Sequence, residues 1–427
     1  MTNTANSNGW PLLAGLTFLN ILNFADRYLL IAFSPAIVKE LELTNFQFGL
    51  LTGIVFTGVY TLFGMFAGSL ADRVHRPRLI AAGLVLWSGL TAVTGITRNF
   101  AQMAAARMLI GVGEACLTPA SMSLLAERFA PARRAMAGGI YYMGYPLGIG
   151  GSFIFAGMVG PELGWRGSFI LLGAVGIVAA LLLFLLVRDP ARQAVGVASL
   201  KPEGSFADSF RGIRHELGNN PAFRLTLIGC TVLMFALGGG ILDLLWWIKE
   251  RGYAAAEAQK ILGSIFLFGG TLGAFAGGVG ADWAHQRWAA GRLRFLGWAL
   301  LVAIPVIVAY RLVPGHTSGF YAAAFIASAL TLLVFGPALS VVQELVPVQH
   351  RASAVALWLL CGALIGAGGG NATAGGLADA FAAAGNPEPL TMTLLVMAGI
   401  GGLSIPVFFL AARAQVRGLT APGKTAG

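Results

Sequence analysis

Charged residues are scarce in this chain. Asp, Glu, Lys and Arg make up only 11% of its 427 residues, whereas soluble domains carry about 25%. Hydrophobic residues make up 57%. This composition excludes a single soluble domain and indicates a protein that crosses a membrane many times. It also offers no basic soluble face of the kind that binds nucleic acid.

Histidine and cysteine are also few, with five and three residues. A membrane-embedded metalloenzyme would need His or carboxylate ligands clustered at helical spacing, and the histidines are predicted to lie in loops. The cysteines, Cys116, Cys230 and Cys361, fall inside apolar runs, which argues against disulfides. No nucleophile elbow or phosphate-binding loop is found. We therefore expect no enzyme, no metal and no cofactor.

Twelve apolar runs are long enough to span a bilayer. They cover about 12–34, 46–71, 78–97, 101–127, 134–159, 165–187, 221–248, 257–281, 293–312, 318–343, 351–377 and 390–412. The first nine residues contain no Lys or Arg, unlike a signal peptide, so we expect the first run to be retained as a helix. The runs predict an all-α membrane protein with twelve transmembrane helices in two pseudo-symmetric six-helix bundles.

A polar stretch divides the runs into two groups of six. The predicted domains are an N-terminal bundle at 1–187, a cytoplasmic linker at 188–220 and a C-terminal bundle at 221–427. Within the linker, Phe206 and Phe210 share a helical face with Ile213 and Leu217. This spacing predicts a short amphipathic helix on the cytoplasmic membrane surface, and the alternative is a disordered linker.

The cations predict orientation. Nineteen of the 28 Lys and Arg residues fall in loops on one side and seven on the other, while Arg27 and Arg107 lie within predicted helices. The richer side is expected to be cytoplasmic, which places both termini there, in a plasma (cell inner) membrane protein. The net charge of +10 then reflects topology and contact with anionic lipid.

Four charged residues lie deep inside predicted helices of the N-terminal bundle. Asp26 and Arg27 are adjacent in the first run, and Arg107 lies seven residues before Glu114 in the fourth, so these two share a helix face. Asp26 and Arg107 should lie at similar depths of roughly 12 and 9 Å, at about 1.5 Å per residue. Intramembrane charge marks a functional site by default, although an internal ion pair that only holds helices together is the alternative.

The two halves repeat a loop pattern. Asp282 follows Asp72 by 210 residues in a shared G-x-x-x-D motif, and Glu344 follows Glu127 by 217 in a shared Glu–Arg spacing. Parallel repeats are typical of transporters that rock about a midplane site. We expect these loops to latch one closed state. The predicted gating residues are Gly68, Asp72, Arg73, Arg76, Glu127, Arg134, Asp282, Glu344 and Arg351, with Asp243 as an outer gate.

Three motifs resemble those of a known family. The stretch from Gly68 to Arg76 resembles the signature of the major facilitator superfamily. Asn23-Phe-Ala-Asp-Arg-Tyr28 and the stretch from Arg107 to Ala115 resemble the helix 1 and helix 4 motifs of its spinster family. The resemblance implies transport of sphingosine-1-phosphate-like lipids and lysophospholipids, with proton coupling. Asp-Arg in helix 1 also occurs in carriers of sugar acids.

These residues predict a transporter that works by alternating access. Asp26 and Glu114 would carry a proton, because an acid that pairs with Arg in one state and loses that partner in the other changes its proton affinity. Arg27 or Arg107 would alternately serve an acid and the anionic head of the substrate. We expect Tyr28 to contribute to the same site.

The C-terminal half is poor in buried charge, which suits the tail of an amphiphile. Phe335 and Trp358 are candidates for the path of that tail, and the alternative is that they face lipid or pack helices. The expected partners are an amphiphilic lipid, protons and membrane lipids, with the protein a monomer. A proton-coupled carrier of small organic anions or sugar acids is the runner-up.

Overall fold

The computed structural model describes residues 9–71, 74–187, 214, 216–347 and 350–420. Within those residues every regular element is a helix. The α-helices are α1 Gly9–Ala32, α2 Ser34–Glu40, α3 Asn45–Thr52, α4 Ile54–Ala71, α5 Arg76–Thr94, α6 Phe100–Glu114, α7 Leu117–Arg128, α8 Pro131–Tyr142, α9 Gly144–Leu186, α10 Pro221–Leu237, α11 Asp243–Lys249, α12 Ala255–Ile265, α13 Thr271–Arg287, α14 Gly291–Leu312, α15 Ser318–Leu333, α16 Phe335–Glu344, α17 Arg351–Leu360, α18 Gly369–Ala383, α19 Pro389–Gly402 and α20 Ser404–Thr420.

Several helices are joined end to end into longer rods. A 3₁₀ turn at Gly238–Leu242 links α10 to α11, and π-helical turns at Phe266–Gly270 and Cys361–Gly368 link α12 to α13 and α17 to α18. Within α9, Gly164 has φ +64° and ψ −178°, a conformation that other residues rarely adopt. Gly164 therefore divides this 43-residue element into two helices.

Ten helical segments among the described residues are long and apolar enough to cross a membrane. Counting α1 and α2 as one span bent by 54° gives eleven, and dividing α9 at its kink gives a twelfth. Each of the twelve apolar runs coincides with one of these segments. The all-helical membrane class is thus confirmed, although the helix breaks inside single runs were not predicted.

Side-chain caps explain where several helices begin. Thr44 and Gln47 form a reciprocal capping box at the start of α3, which satisfies two otherwise unpaired backbone donors. Asn99 caps α6 by accepting a hydrogen bond from the backbone N–H of Gln102. Asn220 and Thr317 cap α10 and α15 in the same way. These polar N-cap residues therefore mark the starts of helices whose sequences are otherwise long apolar runs.

The helices form two compact units. The first holds Met1–Lys201 together with Ala254–Leu267, so α12 packs with the first unit although it comes from the second half of the chain. Gly150 on α9 meets Gly263 on α12 so closely that a Cβ on either would lie 2.7 Å from the carbonyl oxygen of the other. Gln259 on α12 donates to the carbonyl oxygen of Ala32 at 2.7 Å.

The second unit holds Pro202–Tyr253 and Phe268–Gly427. Its core contains Phe223, Leu296, Val341, Trp358 and Phe408. Close helix crossings again depend on glycine, since a Cβ on Gly273 or Gly277 would clash with the backbone of α15.

Part of the predicted linker lies outside the described residues. These are 188–213 and 215, so the amphipathic helix at 188–220 stays a prediction. The division into 1–187, 188–220 and 221–427 likewise remains a prediction.

Candidate functional site

Four charged side chains meet inside the first unit. Asp26 and Arg27 come from α1, and Arg107 and Glu114 from α6. Asp26, Arg107 and Glu114 are each only 1% exposed. The cluster holds two acids and two bases, so its formal charges cancel.

Arg27 is paired with Glu114. Its Nε donates to Glu114 Oε2 at 2.5 Å, and the two side chains are 18% and 0% exposed. The second carboxylate oxygen, Glu114 Oε1, is buried and has no hydrogen-bond partner within the described chain. The pair is therefore joined at one oxygen only, and Arg27 is its more accessible member.

Arg107 is paired more loosely with Asp26. Its NH1 lies 3.7 Å from Asp26 Oδ2, which is too far for a good hydrogen bond. Asp26 Oδ2, Arg107 Nε and Arg107 NH1 find no hydrogen-bond partner among the residues described. Buried polar atoms are normally satisfied, so unsatisfied ones call for an explanation.

Thr91 on α5 completes the site, although no motif in the sequence indicated it. Its Oγ1 lies 2.7 Å from Asp26 Oδ1 and 2.8 Å from the carbonyl oxygen of Trp87. A hydroxyl has one hydrogen to donate and two lone pairs to accept. When Asp26 is ionised the two oxygens compete for that hydrogen. When Asp26 is protonated it can donate to Thr91, which then donates to Trp87.

Aromatic rings seat both guanidinium groups. The Arg27 Cζ lies 4.3 Å from the centre of the Tyr60 ring and 4.9 Å from that of Phe56. Arg107 Cζ lies 4.8 Å from the same Phe56 ring. Such cation–π contacts stabilise a buried cation without neutralising it. These rings lie in an apolar run on α4 that gave no hint of their role.

Tyr28 and Tyr145 extend the aromatic wall. Their ring centres lie 6.5 Å apart, and Tyr145 also meets Phe24 on α1 at 4.8 Å. Tyr28 was expected at the site from its motif. Tyr145, on α9, was not among the residues predicted for the site.

Two glycines place Glu114 in the cluster. A Cβ on Gly111 would lie 3.1 Å from the backbone nitrogen of Tyr60 on α4, and one on Gly113 would lie 2.7 Å from the carbonyl oxygen of Gly83 on α5. Since glycine alone permits both approaches, α6 lies directly against α4 and α5. This packing places Arg107 next to Asp26 and Glu114 next to Arg27.

The predicted gating residues form a second type of ion pair. In the first unit, Arg76 donates to both carboxylate oxygens of Glu127 at 2.6 Å and to Ser123 at 2.9 Å. In the second unit, Arg292 donates to Glu344 and to Asp282, both at 2.8 Å. Arg76 and Arg292 each lie in the first turn of a helix. In both repeats, therefore, an Arg in the first turn of a helix is hydrogen-bonded to the corresponding glutamate, Glu127 or Glu344.

The remaining gating candidates are placed more simply. Arg134 donates to the carbonyl oxygen of Phe129 at 3.2 Å, and Arg351 is the exposed first residue of α17. Gly68 lies within α4. Asp72 and Arg73 are outside the described residues, so their roles stay predictions.

The second unit holds the other candidates. Asp243 lies 2.8 Å from Arg311 NH2. Arg311, one of the seven cations counted in loops on the second side although it falls within the run 293–312, is a buried residue near the end of α14. Trp358 is 4% exposed in the core of the unit, and Phe335 packs against it with ring centres 5.9 Å apart. In this structure both are packing residues.

Comparison with known proteins identifies the family. The profile of the Major Facilitator Superfamily matches residues 16–371. An MFS-type efflux pump of Mycolicibacterium smegmatis is 27% identical over 366 residues, which are 84% of this chain and 82% of that protein. The sphingosine-1-phosphate transporter SPNS2 of Danio rerio is 24% identical over 461 residues, 97% of this chain and 88% of that protein.

A solved structure gives the same result. A bacterial homologue of the human lysosomal transporter spinster, in an inward-facing and unoccupied conformation, has a TM-score of 0.84 and 26% identity with this chain. The match covers 99% of this chain and 100% of that one. The chain therefore belongs to the major facilitator superfamily, as an integral membrane transporter of the spinster type and not an enzyme, which confirms the family predicted from its motifs.

Proposed function

We propose that this protein moves amphiphilic lipids with an anionic head, such as sphingosine-1-phosphate or lysophospholipids, by proton-coupled alternating access. One observation carries the proposal. Two buried acid–arginine pairs share one site in the first unit, and both leave polar atoms without hydrogen-bond partners among the residues that the structure describes. A purely structural pair would be expected to satisfy those atoms.

Arg27 is the proposed binding residue for the head of the lipid. It is the most exposed of the four charged side chains, and its planar guanidinium can hold two oxygens of a phosphate or carboxylate. The rings of Phe56 and Tyr60 keep it in place when Glu114 is displaced. Arg107 would hold the rest of the negative charge.

Glu114 is the acid proposed to take up a proton when the head group binds Arg27. When the head takes Arg27, the buried Glu114 carboxylate loses its only ion pair within 4 Å among the described residues. An unpaired charge at that depth is costly, so the acid takes up a proton. Head and proton then occupy the site together, and both leave when the pair re-forms.

Asp26 is the second proposed proton carrier. Thr91 can accept a hydrogen bond from protonated Asp26 while donating to the Trp87 carbonyl, which satisfies both short contacts. The loose contact to Arg107 leaves Asp26 free to gain or lose a proton without breaking an aligned ion pair.

The substrate class is also supported by relatives. The similarity to SPNS2 of Danio rerio, a sphingosine-1-phosphate transporter, extends over 97% of this chain. We propose that the natural partners are a lipid of this class and protons, and that the protein acts as a monomer in the plasma (cell inner) membrane. The uneven distribution of Lys and Arg favours cytoplasmic termini.

Uptake into proteoliposomes tests the proposal. Labelled sphingosine-1-phosphate and a lysophospholipid are offered with and without a proton gradient to wild type and Glu114→Gln. We expect flux that follows the gradient and is lost in the variant. Lipid flux indifferent to both would reduce Glu114 to a structural role. Absent lipid flux, with flux of small organic anions, would contradict the substrate class.

A further inference from the structure

A second buried arginine lies in the second unit. Arg311 is 7% exposed, and its NH2 lies 2.8 Å from Asp243 Oδ1. Its Nε and NH1 are buried and have no hydrogen-bond partner in the described parts of the chain. Arg cannot shed its proton, so these donors call for an acceptor that the chain's described residues do not supply.

A tryptophan seats this arginine beside a second one. The Cζ atoms of Arg311 and Arg251 each lie 4.7 Å from the centre of the Trp246 ring. The Arg251 side chain is 9% exposed, and its Nε also lacks a partner within the described residues. Two arginine cations thus lie against one ring, and each has at least one N–H group without a hydrogen-bond partner among the described residues. This arrangement favours binding of an anion between them.

The nearby acids are only partly available to neutralise them. Glu250 accepts from the backbone N–H groups of Leu390 and Thr391 at 2.7 and 2.8 Å, which commits it to the start of α19. Glu388 is half exposed and lies 3.3 Å from Arg251 NH1. Asp243 is thus the acid that holds Arg311.

Sequence register relates Asp243 to Asp26. Asp243 follows Asp26 by 217 residues, the same interval that separates Glu127 from Glu344. The helical rods that carry them also end 217 residues apart, at Ala32 and Lys249. Each repeat therefore has an Asp at the same position, and each Asp lies beside a buried Arg with unpaired donors.

We propose that Arg311, with Arg251 on Trp246, forms an anion-binding site of the second unit, and that Asp243 occupies Arg311 when the site is empty. The ligand is a phosphate or carboxylate group, either the head of a lipid or a small free anion. This inference extends the proposed transport of anionic amphiphiles, but it is tested by binding alone.

Tryptophan fluorescence of the purified full chain in detergent provides the test. The probes are sphingosine-1-phosphate, sphingosine without its phosphate, and inorganic phosphate. We expect sphingosine-1-phosphate to change the emission and sphingosine to leave it unchanged, with the change absent in Trp246→Phe. A response to inorganic phosphate alone would keep the anion site and assign it to small anions.

Variants of opposite expected sign separate binding from packing. Arg311→Gln should weaken the response by on the order of tenfold or more, because charge-assisted hydrogen bonds are lost. Asp243→Asn should tighten binding, since it removes the acid that competes for Arg311. Arg311→Lys keeps the charge, and this variant should bind the anion with intermediate affinity. It replaces Arg311→Gln in the test if that variant does not fold.

The matched control is Arg287→Gln, whose exposed guanidinium lies 4.8 Å from the Trp283 ring and should not affect binding. The proposal is overturned if no probe gives a Trp246-dependent change, or if Asp243→Asn weakens binding as much as Arg311→Gln. The binding result can be interpreted even if no lipid transport is observed in proteoliposomes. The anion-binding proposal and the transport proposal can therefore be contradicted independently of each other.

Discussion

The first unit contains two ion pairs, Arg76–Glu127 and Arg107–Asp26, that differ in how completely they are hydrogen-bonded. Arg76 makes two aligned contacts of 2.6 Å with its partner and a third with Ser123. Arg107 lies 3.7 Å from its acid and leaves two nitrogens unpaired within the described chain. Both arginines are buried to the same degree, at 1% exposure. Burial alone therefore does not distinguish a pair that holds helices from a pair that exchanges partners.

The difference between these pairs can be tested by substitution. Removing a fully bonded pair should lower stability and leave the pH dependence of transport intact. Removing a loosely bonded pair should change pH dependence more than stability. The predictions below follow this contrast from the largest expected effect to the smallest.

Asp26→Asn and Glu114→Gln should each reduce proton-driven lipid uptake by about 100-fold or more, because a group that transfers the proton contributes roughly that much. Both amides preserve the size of the side chain and one acceptor oxygen but cannot gain or lose the proton. Initial rates in proteoliposomes with an imposed pH gradient measure the effect, with Glu257→Gln on the exposed start of α12 as control. The proton role is wrong if both variants keep full pH-dependent uptake.

Arg27→Lys should raise the KM for lipid by about tenfold with a smaller change in kcat, since an ammonium keeps the charge but cannot form the planar two-point contact. Uptake at a series of lipid concentrations gives both constants. Arg166→Lys is the matched control, because Arg166 also stacks on an aromatic ring, at 4.2 Å from the centre of the Trp165 ring, outside the cluster. An unchanged KM for Arg27→Lys would contradict the head-binding role.

Arg76→Gln should lower the free energy of unfolding by about 1–2 kcal/mol, a modest value because Glu127 is half exposed and its charge is screened. Thermal unfolding in detergent measures the loss. The pH dependence of uptake by the folded protein should match wild type. A changed pH profile would show that this pair also takes part in coupling.

Thr91→Val should shift the pH of half-maximal uptake upward by about one unit, equivalent to one charge-assisted hydrogen bond. The variant removes the contact of residue 91 with both forms of Asp26, but the hydrogen bond that Thr91 donates to the ionised carboxylate is charge-assisted and stronger than the neutral one made by the protonated acid, so the ionised form loses more. The measurement is a pH series of initial uptake rates. Thr91→Ser should restore the wild-type profile, and a shift in the opposite direction would exclude the proposed contact.

The sequence predicted the spans well because twelve apolar runs need only hydropathy to be recognised. It also brought together Asp26, Arg27, Arg107 and Glu114, since rare charges inside apolar runs have few places to go. The break at Gly164 falls between the predicted runs 134–159 and 165–187. The π-helical turns could not be predicted, because they lie inside single apolar runs and depend on packing as much as on residue type.

Residues of ordinary chemistry were missed at the site. Thr91, Phe56 and Tyr60 are common in membrane helices, and only their contacts with charged groups mark them. Arg311 was counted among the loop cations because it is the last residue but one of the apolar run 293–312. Hydropathy marks the end of such a run but does not show which way a charged residue near that end faces, so this buried charge was missed. The partner of Asp243 therefore became visible only with the helices in place.

The ring of Phe56 touches both guanidinium groups of the first unit. A head group that binds Arg27 while the ring holds it in place also brings its negative charge close to Arg107, which lies on the same ring. The two ion pairs are then not independent switches but one cooperative device, in which release of the first acid makes release of the second easier. Binding of lipid and titration of both acids should accordingly occur as a single steep transition.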